Sequence, residues 1–84
     1  MADSSSINPF LVTLGSRIRA ARKSIGWTQE DLAHESGLDR SYMGGVERGE
    51  RNVSFLSLCQ IAQALHKDIA FLTKGIPKGS YDRR

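Results

Sequence analysis

Thr28-Gln-Glu-Asp-Leu-Ala-His-Glu-Ser-Gly-Leu-Asp-Arg-Ser-Tyr-Met-Gly-Gly-Val-Glu-Arg-Gly-Glu-Arg-Asn52 is the stretch whose reading decides the fold. Thr28 is a candidate helix cap. Asp31, three residues on, can return a hydrogen bond in a variant of the capping box, and Trp27 can staple onto Leu32. Gly37 stops that helix, because the residue just past a helix end often takes positive φ, which glycine adopts without strain. Only Leu38 separates Gly37 from the next cap, Asp39. A second helix then runs from about Arg40 to Arg48, with Gly49 as its stop.

Two helices with so short a joint cannot lie antiparallel. They cross steeply, in helix-turn-helix geometry. Ala33 falls where the two pass nearest and only a small side chain fits. Leu38, Met43 and Val46 supply the apolar contacts of the crossing. The start of the second helix presents Arg40, Ser41 and Tyr42, side chains of the types that bond base edges and phosphates. Arginine makes two hydrogen bonds to guanine, which puts Arg40 first for base reading, with Ser41 second.

On these residues the stretch resembles the helix-turn-helix domains of the Cro and phage-repressor type. Within them, LDRSYMGGVERGERNVS is most similar to the controller proteins of restriction–modification systems. The resemblance spans Leu14 to Leu72. It implies a sequence-specific DNA-binding regulator whose helix three enters the major groove of an operator. It also implies control of the regulator's own promoter and a neighbouring restriction gene, with dimers binding adjacent sites. In the family, an arginine matching Arg22 pairs with a glutamate matching Glu47. The loop carrying Arg51 and Asn52 lies against the phosphate backbone there, and the last two helices form the dimer contact.

Outward from the motif, Pro9 suits a first helical turn. Leu11, Leu14, Ile18, Ala21 and Ile25 recur at helical spacing, and Gly26 ends that helix. Arg17, Arg19 and Lys23 read as its solvated face. Ser54 can cap a fourth helix with Leu58, Ile61, Ala62 and Leu65 inward. Asp68 can cap a short fifth helix bearing Ile69, Phe71 and Leu72. The expected architecture is all-α: a five-helix bundle over 9–75, a disordered arm over 1–8 and a flexible tail over 76–84. The arm lacks Lys and Arg, which minor-groove arms use.

Gly44 and Gly45 inside helix three each cost about 1 kcal/mol relative to alanine. Either the missing side chains let DNA approach closely there, or one glycine relieves packing against a neighbouring helix. Gln29, at the start of helix two, is a candidate phosphate contact beside that helix's positive end. Tyr42, Arg48, Arg51 and Asn52 are candidate backbone contacts. Phe55, Cys59, Ile69 and Phe71 exceed what one small core covers and are expected at a homodimer interface; ordinary core packing is the alternative.

Composition narrows the class. A chain of 84 residues with net charge +3 and pI near 9.4 is one small, mildly basic domain. One cysteine excludes an intrachain disulfide and a multi-cysteine zinc site. His34, His66 and Cys59 do not form a metal-ligand spacing, so no metal is expected. Glu30, Asp31 and Glu35 read as surface and helix-dipole charges rather than an acid–base pair. There is no nucleotide-binding glycine loop, and neither an enzyme nor a cofactor or small-molecule ligand is expected. No apolar run suits a membrane span and no signal-peptide pattern is present, so a cytoplasmic setting is expected. Two rival readings are a prophage or general repressor of the same fold, and an antitoxin-like adaptor whose main partner is a protein.

Overall fold

A computed structural model describes residues 8–77. Five helices follow one another among them: α1 (Pro9–Ser24), α2 (Gln29–Ser36), α3 (Arg40–Glu47), α4 (Phe55–Ala64) and α5 (Ile69–Thr73). The fold class is therefore the one expected. None of the described helices is long and apolar enough to cross a membrane.

Each start is set by a side chain that accepts a backbone N–H the helix itself cannot satisfy. Thr28 and Asp31 complete a reciprocal capping box, at 3.0 and 2.9 Å. The Asp39 carboxylate caps α3 by accepting from Ser41 N and Tyr42 N. Ser54 accepts from Ser57 N at 3.0 Å, and Asp68 from Phe71 N at 2.8 Å. Asn8 caps α1 through Phe10 N. That residue belongs to the helix start, not to the arm over 1–8 expected from composition; residues 1–7 lie outside the described part. At the other end, Ile76 packs against the core, so the ordered chain runs past Gly75. The remainder of the expected tail, 78–84, is also outside the described residues.

The ends follow equally local chemistry. Gly26, Gly37 and Gly49 all take left-handed backbone, at φ of 78°, 72° and 77°. After α4 that conformation falls on His66, at φ 57°. Histidine is among the side chains that tolerate it. The turn is closed by Lys67 N bonding back to the Ala62 carbonyl at 2.9 Å.

Between these ends lies one core: Leu14, Ile18, Ala21, Leu32, Ala33, Met43, Val46, Leu58, Ile61, Ala62, Leu65 and Leu72. α1 packs on α3 and α5, while α2 packs on α3 and α4. Trp27, Leu38 and Tyr42 pack on the core from its edge. Ile25 does not. It is the C-cap of α1 and 46% exposed, because the helix ends one residue before the apolar spacing does.

Two glycines let α1 cross α3 closely. A Cβ on Gly15 would collide with the backbone carbonyls of Val46 and Glu47. One on Gly49 would lie 2.7 Å from Val12 Cα. Any larger residue at Gly15 must push apart two backbones that cannot yield separately.

Candidate nucleic-acid interface

The crossing of α1 and α3 carries a polar cluster beneath the outer surface. Arg22 lies in the last turn of α1 and Glu47 ends α3. The guanidinium donates through Nε to Glu47 Oε2 at 2.7 Å and through Nη2 to Glu47 Oε1 at 2.9 Å. Its third arm, Nη1, donates to the Trp27 carbonyl at 2.7 Å. Gln29 Nε2 donates to Glu47 Oε1 at 3.0 Å. The two charged side chains are only 8% and 1% exposed. The bond to Glu47 holds the Arg22 pKa above its ordinary value, against the opposing effect of burial. One cluster thus ties α1, α2 and α3 into a fixed mutual orientation.

Above it the first turn of α3 faces solvent. Arg40 and Ser41 are exposed, and Tyr42 is half-buried. Arg40 looks onto a recess of about 720 Å³ shared with Arg22, Lys23, Gly26, Trp27, Thr28, Gln29 and Glu30. It has no ion pair or hydrogen bond among the described residues, so its planar set of donors is free. Ser41 differs: its hydroxyl already donates to Asp39 Oδ2. What remains for a ligand is its acceptor capacity. The Asp39 carboxyl sits below the usual carboxylate range, chiefly through the Ser41 hydroxyl and then the Tyr42 and Ser41 amides. Those bonds keep the negative charge at the start of α3 occupied.

Gln29 is half-buried and its amide is committed to Glu47. Only part of its hydrogen-bonding capacity remains for a phosphate. Arg48 is exposed and paired with Glu50 at 3.1 Å. Arg51 is exposed, with its guanidinium carbon 5.2 Å from the Tyr42 ring centroid. Asn52 is exposed beside Asn8, Phe10 and Leu11. Arg40, Ser41, Tyr42, Arg48, Arg51 and Asn52 thus lie on α3 or within five residues of its end. Gly44 and Gly45 stand apart from that group. Both are buried, and the space beside them is filled by Arg48, Gln29 and Arg51. In the free protein, side chains cover both glycines.

On α4 and α5, Phe55 is 67% and Phe71 47% exposed. Cys59 and Ile69 are half-buried and line one shallow groove with Ala62, Gln63, Lys67 and Asp68. Leu56, unremarked in the sequence, is the most exposed large apolar residue here at 72%. Its adjacency to Phe55 outside the inward stripe was the available signal. Gly15 carries a signal of the same kind, since a glycine inside a helical pattern usually marks a close approach. Lys23 joins the recess below Arg40 instead of belonging only to a solvated face. Among the described residues no group of His, Cys, Asp and Glu could hold a metal ion.

Two helices, α2 and α3, joined by the three residues Gly37, Leu38 and Asp39, with the start of the second facing solvent, have the arrangement of the helix-turn-helix proteins. The chain belongs to the helix-turn-helix family of transcriptional regulators, whose model matches residues 18–72. It is similar to Control protein C.SmaI of Serratia marcescens, 43% identical over 56 residues and covering 67% of each chain. The restriction–modification controller protein C.AhdI from Aeromonas hydrophila is 52% identical, with a TM-score of 0.73 over 74% of this chain and 94% of that one. A third relative is controller protein C.Esp1396I, solved as a tetramer in complex with its natural 35 base-pair operator. It is 37% identical with a TM-score of 0.72, over 77% of this chain and 86% of that one.

Proposed function

We propose that this protein is a homodimeric controller that binds an inverted-repeat operator and regulates its own promoter together with a restriction–modification operon. The observation that carries the reading is Arg40 at the solvent-facing start of α3, without a partner among the described residues and lining one recess with Arg22 and Gln29 of the buried cluster. A rigid brace is what base reading needs, because a side chain discriminates bases only when its helix is fixed in the groove.

Arg40 reads a base edge through two donors, and Ser41 assists as an acceptor. Tyr42, Arg48, Arg51 and Asn52 grip phosphates at the helix end and following loop. Gln29 contributes at the start of α2 with the donor that Glu47 leaves free. Phe55, Leu56, Cys59, Ile69 and Phe71 form the dimer contact. An exposed apolar surface of this kind on a small domain supports association. The operator-bound tetramer of C.Esp1396I supports two dimers on adjacent sites. The protein acts in the cytoplasm by binding, not by catalysis, and takes no small-molecule ligand.

A gel shift against the DNA upstream of its own gene tests the reading. A discrete shift at nanomolar protein, competed by the same duplex and not by a scrambled one, is expected. Equal competition by both duplexes would leave only non-specific binding.

A further inference from the structure

The glycine pair in α3 remains to be explained. Glycine is a poor helix former, and α3 has two in succession within eight residues. Neither takes the left-handed backbone found at Gly26, Gly37, Gly49 and Gly75. Backbone conformation is therefore not the reason for either. What both lack is a side chain, and the space this leaves is occupied by arginines.

The two sites differ in which part of the arginine they receive. A Cβ on Gly44 would meet the tip of Arg48, Nη1 at 3.1 Å, and Gln29 Oε1 at 3.4 Å. A Cβ on Gly45 would meet the stem of Arg51: Cγ at 2.8 Å, Nε at 3.4 Å and Cδ at 3.6 Å. A tip swings aside easily. A stem held this near its root cannot yield without a different rotamer. Arg51 leaves the loop after α3, runs back over the bare backbone at Gly45 and ends over the Tyr42 ring. Tyr42 and Gly45 are three residues apart and so share a helix face. Ring and bare backbone together form a seat one helical turn long.

We infer that Gly45 is a positioning residue for DNA binding: its missing side chain seats Arg51 along α3 and presents the guanidinium at the phosphate-facing end. The inference rests on the DNA-binding reading above. It differs from a close approach of DNA to the glycine itself, since here the glycine acts through Arg51. Gly44 supplies a comparison. Alanine there brings the same gain in helix propensity and meets only the far ends of Arg48 and Gln29, which can turn without a change at the root of either side chain.

The test is a double-mutant cycle with Gly45→Ala and Arg51→Ala, with Gly44→Ala alongside. Each is read by thermal melting and by operator affinity. Both glycine variants should melt at or above the wild-type temperature. Gly45→Ala should weaken operator binding about three- to tenfold, the scale of re-ordering one long side chain on association. In the Arg51→Ala background the same change should have no effect, and Gly44→Ala should bind within about twofold of wild type, less than the cost of ordering a side chain. An equal loss from Gly45→Ala in both backgrounds would overturn the inference in favour of direct contact at residue 45. Unchanged binding by Gly45→Ala would also overturn it. A readout without DNA separates this from failure of the DNA-binding reading. The Arg51 guanidinium protons should carry a ring-current shift from Tyr42 that Gly45→Ala abolishes. Retention of that shift in the variant would defeat the seating whether or not wild type binds DNA.

Discussion

Arg22 and Glu47 meet in a two-pronged ion pair that joins the last turn of α1 to the last turn of α3, buried below the surface that carries Arg40. Their side chains are 25 residues apart in sequence, and the pair sets the angle at which α3 is offered outward. A buried pair of this kind is not a large net stabiliser, because desolvation of two charges offsets most of the attraction. Its one-sided loss is another matter.

Glu47→Ala should therefore cost about 3–5 kcal/mol in urea unfolding, since it leaves a buried guanidinium unpaired. The double change Arg22→Met with Glu47→Leu should cost far less than the sum of the two single truncations. Strict additivity between them would show that the pair is uncoupled.

Acid should loosen the two caps on either side of the turn. The Asp31 carboxyl is held below its ordinary value of 3.8, first by the Thr28 backbone and then by its hydroxyl. Asp39 is held below 3.8 first by the Ser41 hydroxyl. Both folded values lie under the unfolded ones, so the unfolded chain binds protons more readily. The stabilisation is complete above about pH 4 and is lost as pH falls through the lower folded values. Unfolding midpoints should drop below pH 4 in wild type and less steeply in Asp39→Asn, which keeps a capping oxygen but cannot titrate. Parallel curves would remove Asp39 from the account.

Much of this arrangement was legible because helix ends are written in single residues. Thr28 with Asp31, Gly37, Asp39, Ser54 and Asp68 each announce a boundary through one local bond or one left-handed turn. Contacts made across the fold were harder to read. The commitment of Gln29 to Glu47 depends on how two helices cross, which no spacing along one helix encodes. Ile25 fits the apolar period of α1 yet lies past its end. His66 occupies a conformation whose usual marker is glycine. Gly15 matters through what lies opposite it, the backbone of α3, and Leu56 through its exposure beside Phe55.

Assembly is tested at Phe71, whose ring lies under the Lys67 ammonium at 4.5 Å and remains 47% exposed. Phe71→Asp should sediment as a monomer and bind operator more weakly, because the proposed dimer contact would have to desolvate a carboxylate in place of an apolar ring. Wild type sedimenting as a monomer at about tens of micromolar would exclude a dimer of useful strength.

Arg40 and Arg51 should fail in different ways. Arg40→Ala should lose about 1–3 kcal/mol on the operator and relax preference at one base pair per half-site, with a smaller loss on random DNA. Arg51→Ala should weaken both duplexes about equally and lower the slope of log affinity against log salt by about two for a symmetric dimer. Equal specificity ratios for wild type and Arg40→Ala would take the reading role from Arg40.

The most direct measurement is a hydroxyl-radical footprint of the wild-type protein on its own upstream DNA. A two-fold dimer presenting two copies of α3 should protect an inverted repeat on one face of the duplex, with half-sites about 10 base pairs apart centre to centre. A single non-palindromic protected site, bound by one chain, would contradict the account.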